Sequence, residues 1–438
     1  MSRARVAWIA LALCAGCAQT DVVATRDRAD GSTPRDGAVD RCADPGPPIA
    51  VGDATVCSGR LAERTFRFAL CTCADVVAGE VVTDSFDSRR GPYSAPGGAG
   101  GSIGASGSIN ASDDWAVGGS LWSSGAEGWS SAGDLVVASQ LHVMGRVAGP
   151  GVDVDGDAFV AGGAQLDTLR VGGTLTAPSL ADVRVDGART VGAEVEAPVT
   201  VDPPCACGEA DLLDVAGFVA AQREDNDNAA IDLAVDDWSN LLGATNDVEL
   251  PCGRFLLSSV SVEGDLSLRA TGPVVLFVEG DLVVNGSLSV ELEADASIDL
   301  FVAGNVTVGG RASLGGVGAP ARARLYVGGG GTINLGADAT FAGTLYAPRT
   351  ALVAAGPVEV FGAMFVQRVN ASGRLTLHYD AAVLRTGEAC EPTRECATCG
   401  DCASVQACVD GRCADCRDDR DCCSPLVCAA GRCLPEPV

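Results

Sequence analysis

The chain contains no lysine; all 30 of its basic residues are arginines, set against 57 acidic residues in 438. That absence excludes Schiff-base chemistry and the phosphate-loop lysine of nucleotide-binding enzymes. A formal net charge of -27 argues against nucleic acid as a partner, because neutralising phosphates needs clustered cations. Histidine is nearly missing, so only His142 and His378 can supply an imidazole. Aromatics are few, at 5%, which leaves Val, Leu and Ala to fill a core. No nucleophile elbow, zinc-protease helix or dinucleotide fingerprint appears in a strand-to-helix context. Segments that read as helix are scarce.

Glycine, by contrast, is abundant at 56 residues, and it is patterned. Gly133-Asp134-Leu135, Gly156-Asp157-Ala158, Gly264-Asp265-Leu266, Gly280-Asp281-Leu282 and Gly304-Asn305-Val306 repeat a glycine turn, a small polar residue and a strand. Positive φ is the expected reason for these glycines. Five further phrases, Leu276-Phe277-Val278, Leu300-Phe301-Val302, Leu325-Tyr326-Val327, Leu345-Tyr346-Ala347 and Met364-Phe365-Val366, start 24, 25, 20 and 19 residues apart. One such coil buries too few aliphatics to offset its chain entropy, at about 1–2 kcal/mol per residue, so coils must stack. The fold class expected is all-β, a parallel β-helix or β-solenoid with a short helical insertion and a disulfide-rich C-terminal tail.

Alternation along the strands puts Leu300 and Leu325 inside and Asp299, Phe301, Arg324 and Tyr326 on the outward face. The outward aromatics Phe277, Phe301, Tyr326, Tyr346 and Phe365 form a ladder if their coils are in register. Such a ladder is either a stacking strip for glycan chains or a surface covered by the helical patch or the first solenoid half. Helical spacing runs from Glu209 to Ala220, and a second short helix is expected over Ala229–Leu242. Phe66 to Cys71 reads as a strand.

Arg3 and Arg5 precede the apolar run Val6–Leu13, which is shaped like a secretory signal and too short to span a bilayer. It ends in Leu13-Cys14-Ala15-Gly16-Cys17, which resembles a bacterial lipobox with Cys17 as the lipidated residue. The resemblance implies membrane attachment through the lipid, and Ala18 points to the outer membrane. The domain organisation expected is a signal peptide at 1–16, a flexible tether at 17–41, a first solenoid half at 42–204, a helical insertion at 205–252, a second half at 253–385 and a cysteine module at 386–438.

Setting aside Cys14 and Cys17, 18 of the 20 cysteines remain for disulfides in an oxidising compartment. Seven precede residue 253: Cys42, Cys57, Cys71, Cys73, Cys205, Cys207 and Cys252. Eleven follow: Cys390, Cys396, Cys399, Cys402, Cys408, Cys413, Cys416, Cys422, Cys423, Cys428 and Cys433. Both sets are odd, so full pairing would tie body to tail. Cys42 with Cys57 would close a short loop, and one of Cys205 or Cys207 with Cys252 would staple the ends of the helical patch. Zinc-like spacing at Cys396, Cys399 and Cys402 has no histidine beside it, so disulfides are the reading there and no metal is expected.

Asp153, Asp155 and Asp157 match a calcium loop only loosely and read as a solvated acidic turn. Carboxylates for a polysaccharide-active enzyme would be Asp295, Asp299 and Asp338 with Arg324, but nothing in the sequence pairs them.

From Leu250 to Asp380 the chain resembles an uncharacterised β-solenoid domain of bacterial surface lipoproteins and pilus-associated proteins. The residues that carry this are Leu250-Pro251-Cys252-Gly253-Arg254-Phe255, the Gly280-Asp281 and Gly304-Asn305 turns, Leu345-Tyr346-Ala347-Pro348 and Leu377-His378-Tyr379-Asp380. The tail is similar in cysteine spacing to dickkopf-type modules. The resemblance carries no catalytic residue and no cofactor, and it implies that His378 closes the last coil. The expected function is that of a lipid-anchored cell-surface structural or adhesive protein, not an enzyme. Its expected partners are the membrane and a glycan or surface protein. The competing class is an extracellular polysaccharide-active β-helix enzyme.

Overall fold

The computed structural model describes residues 48–390 apart from 52, 53 and 337, together with short segments between 402 and 435. Cys17, Cys42, Cys396 and Cys399 lie outside the described residues. The body is a parallel β-solenoid of about 14 turns. Its inward file includes Phe255, Leu276, Leu300, Leu325, Leu345 and Met364, each paired in register with the next. The file then continues through Leu70, Ile103, Leu121, Leu141, Ala158 and Leu175. Met364 pairs with Leu70, so the last coil of the second half is the floor for the first coil of the first. The same seam joins Val369 to Val76 and Leu375 to Val81. In space the stack therefore runs from 245 to 380 and then from 70 to 196.

The repeated glycine-polar turns have a hydrogen-bonding cause. Asp265 Oδ1 accepts the Ser287 N–H at 2.7 Å, Asp281 Oδ1 accepts the Asn305 N–H at 2.7 Å, and Asp157 Oδ1 accepts the Thr174 N–H at 2.7 Å. Each side chain thus satisfies a backbone donor one coil ahead, which the turn would otherwise leave unpaired. A Cβ on Gly286, Gly304 or Gly173 would strike that same carboxylate. Contrary to the sequence expectation, these glycines do not have positive φ; close approach, not handedness, keeps them.

Residues 197–244 run back along the outside as a strap. Pro204 packs on Gly104, where a Cβ would crowd its ring, and disulfides join Cys205 to Cys71 and Cys207 to Cys73. This corrects the expected staple to Cys252, which is itself in a disulfide, as is Cys57. Further along, Glu209 pairs with Arg349 at 3.0 Å, Phe218 meets Phe301 edge-on at 6.2 Å, and Arg223 pairs with Glu279. Helix α2 is short, Val215–Ala220, capped by Asp214 Oδ1 accepting from Gly217 N at 2.9 Å. No helix forms over Ala229–Leu242 beyond the turn Asn228–Ala230. The backbone there pairs instead with the end coil: Ser258 N donates to Val235 O, Ser261 N to Trp238 O and Glu263 N to Leu241 O.

That pairing caps one end of the stack. Asn228 imitates a strand, its Nδ2 donating to Leu256 O at 2.7 Å and its Oδ1 accepting from Leu256 N at 2.8 Å. At the opposite end the inward positions above Leu169 and Leu175 are Arg189 and Glu194. These two pair at 2.8 Å, and Arg189 Nη1 donates to Val183 O at 3.1 Å. Charge at an inward position stops further stacking.

Helix α1, Ser58–Thr65, was not read from the sequence, and the strand expected from Phe66 begins only at Leu70. Leu61 and Ala62 bury its inner face. In the tail, Cys416 bonds Cys428 and Cys422 bonds Cys433, so both bonds end on facing residues of one hairpin, Leu426–Ala429 with Arg432–Pro435. Cys416, Cys422 and Cys433 lie within metal-binding distance, but these bonds consume their sulfurs. Cys402 and Cys423 are also disulfide-bonded. Among the described residues no helix is long and apolar enough to cross a membrane.

Candidate functional site

The expected aromatic ladder forms. Phe277, Phe301, Tyr326, Tyr346 and Phe365 are register partners in successive coils. Phe301 and Tyr326 stack at 4.5 Å and Tyr346 and Phe365 at 5.0 Å. It is no open strip, however: all five residues are at most 4% exposed. The strap covers one side, and Phe66, following α1, lies 5.9 Å from Tyr326. Tyr346 Oη accepts the strap's Leu213 N–H at 2.9 Å, while burial pushes its pKa up to about 12. Burial also raises Tyr326, whose hydroxyl has no hydrogen-bond partner among the described residues. The glycan-stacking assignment for these five residues is therefore withdrawn. Aromatic rings stacked face to face have no free face to offer a sugar.

The outward charges are covered as well. Arg324 grips Asp299 with Nε at 2.5 Å and Nη2 at 2.7 Å, and gives Nη1 to Ala321 O at 2.9 Å. Burial disfavours its charge, but Asp299 more than offsets this and raises the guanidinium pKa. Asp295 and Asp338 are exposed corner residues with φ of 65° and 58°. The expected carboxylates therefore form no common site with Asp299. In the first half Asp153 and Asp155 share Arg170 at 2.5 and 2.9 Å, and Asp157 accepts the Thr174 N–H, so each carboxylate of the supposed calcium turn is engaged within the coil stack.

Across the seam the outward file reads Cys71, Gly104, Trp122, His142, Phe159. Trp122 and His142 stack at 4.8 Å and His142 and Phe159 at 4.6 Å, all three half-buried. Burial lowers the His142 pKa. Sequence reading missed this continuation, although the Leu-Trp-Ser and Leu-His-Val phrases carry the same inward-outward alternation.

The most polar cluster lies at the seam itself. His378 has Nδ1 2.7 Å from Asp84 and Nε2 3.2 Å from Glu359. Burial alone would lower its pKa, but both carboxylates outweigh this and raise it. The Tyr93 hydroxyl donates to Asp84 at 2.7 Å and its ring sits 4.0 Å from His378. Burial, then Asp84, push Tyr93 up to about 12. Buried Asp380 ties the same region, accepting from Ser88 N at 2.9 Å, Ala382 N at 3.1 Å and Ala321 N at 3.2 Å. Beside this cluster opens a cavity of about 610 Å³ between the 85–98 loop and Ala381–Arg385. A smaller void of about 130 Å³ lies in the coil interior near Leu314, Phe341 and Met364.

Residues 210–386 match a family model described as Domain of unknown function (DUF7305). The matched segment takes in the strap from residue 210 onward and the whole second half. No curated protein and no solved structure matches the chain.

Proposed function

We propose that this is a lipid-anchored, extracytoplasmic surface protein whose solenoid is a rigid scaffold that presents its faces and its cysteine-rich tail to a partner, without catalysis. The observation that carries the reading is where the ends of the solenoid chain lie. Helix α1 leads into the body next to the turn Ala381–Cys390, with Thr386 Oγ1 donating to Gly59 O at 2.9 Å. An anchor on one side of the body and a module on the other would thus share one mounting point at the seam. The stack would be held broadside with both capped ends free. Interior coils filled by aliphatics and a covered aromatic file fit a scaffold better than a catalytic groove. The lipobox-like Cys17, the pilus and lipoprotein resemblance and the dickkopf-like tail belong to this proposal.

Mass spectrometry of the mature N-terminus, with membrane fractionation, tests it. A diacyl or triacyl mass on Cys17 and release of the Cys17→Ser protein into the medium are expected. An unmodified, freely secreted wild type would sink the anchor. Release of reducing ends or unsaturated sugars from a polysaccharide panel would favour the enzyme class instead.

A further inference from the structure

We propose that the seam cavity is a binding site for an acidic sugar, one or two hexuronate residues of a larger glycan. The proposal rests on the surface role only for where such a ligand would be met, and binding is tested on the purified protein. A volume of about 610 Å³ lies within the range of small-ligand sites, about 300–1,000 Å³. Its lining inverts the charge of the molecule. The chain carries 57 acids to 30 arginines, yet this cavity is lined by Arg89, Arg90 and Arg385 and by one carboxylate, that of Asp87. Arg89 takes that carboxylate with Nε at 2.9 Å and Nη2 at 2.7 Å. Arg90 lies farther from it, at 3.6 Å, with 86% of its side chain exposed, so its charge projects outward.

A guanidinium fork matches a carboxylate in two-point geometry. The other walls are apolar: Phe86, Pro92, Pro96 and Leu384. A flat carbon face with a carboxylate on its rim is what a hexuronate ring presents. The loop wall is also held in place. Tyr93 is pinned to Asp84 and packs on Phe86 and Phe361 at 5.5 and 5.6 Å, and Gly98 and Ser85 exchange backbone hydrogen bonds at 2.7 and 3.1 Å. Such a site loses little entropy on binding. An anionic bilayer is the poorer occupant, because the site is concave and a net charge of -27 repels that surface.

Trigalacturonate titrated into the full-length protein at low salt, followed by calorimetry, tests the proposal. Saturable binding is expected, weakened at least tenfold by Arg90→Glu and by the space-filling Leu384→Trp. Arg170→Ala, four coils beyond Val82 on another strand face, should bind as wild type does. Arg90→Glu is an exposed substitution, and unchanged circular dichroism would show that its fold is intact. No saturation at millimolar trisaccharide, equal binding of a neutral trisaccharide, or wild-type affinity in both cavity variants would overturn the proposal. So would co-sedimentation with phosphatidylglycerol vesicles in the absence of trisaccharide binding.

Discussion

The two halves of the solenoid share one outward file of side chains, and they insulate it differently. In the second half the file is aromatic and sealed beneath the strap and α1, which allows even the Asp299–Arg324 pair to sit out of water. In the first half that file holds Trp122, His142 and Phe159 half-buried, and the ion cluster on a different strand face, Asp153 and Asp155 with Arg170, is solvated. Coil geometry is common to both halves. Cover decides which side chains each tolerates, and it sets how much each contact contributes.

The largest contrast concerns the ion pairs. Arg324→Met leaves Asp299 buried and uncompensated and is expected to cost about 3–5 kcal/mol in urea unfolding. The double variant with Asp299→Leu should regain most of that, and Arg170→Ala should leave the midpoint where it was. Equal losses at the two arginines would erase the contrast. Next come the rings: Phe301→Ala should cost about 3–5 kcal/mol, and half-buried Phe159→Ala less than half as much.

The two ends separate more subtly. Asn228→Ala orphans the Leu256 N–H and C=O, costs about 1–3 kcal/mol and should speed hydrogen exchange at that amide. At the other end Arg189→Leu with Glu194→Leu should change stability little. That double variant removes the charged plug, so sedimentation should reveal stronger concentration-dependent association than in the wild type.

The smallest effect is the pH response of the two histidines, which have opposite signs. His378 has a raised pKa, so its contribution is complete below the unfolded value, about 6.5, and is lost as pH rises through the folded value. His142 has a lowered pKa, so its contribution is present above about 6.5 and is lost as pH falls through the folded value. NMR titration should place one midpoint on each side of 6.5. His378→Gln should flatten the alkaline limb of stability, and His142→Phe the acid limb. Midpoints on the same side would remove this distinction between the halves.

Much of this was legible in the sequence because it is local and periodic. Coil spacing, the register of Phe277 through Phe365 and the glycine-polar turns all follow from the sequence pattern. The exposure of the ladder did not, because alternation separates inward from outward but cannot say what lies over the outward face. Asp299 and Arg324 read from sequence as unpaired outward charges for that reason; the coil register pairs them, and Ala321 and the α1 residue Ser58 lie over them. Cys205 and Cys207 bracket a helical patch in sequence, which suggested Cys252; the strap's path takes them to Cys71 and Cys73, each 134 residues away. The seam cavity was equally hidden, since Arg90 and Arg385 meet only when the first and last coils do.

That meeting has a consequence for biosynthesis. A chain made from its N-terminus lays down Leu70–Thr72 almost 300 residues before Met364, its partner below, exists. Until Asp380 emerges, the lower edge of the earliest coil remains an open template of unpaired backbone groups, the kind of edge that recruits foreign strands. Closure is therefore the last step of assembly, and only the full-length body can make it. A fragment truncated in the last coils would carry every earlier coil and still present an adhesive edge. The waist of the molecule serves as a check on its own completeness.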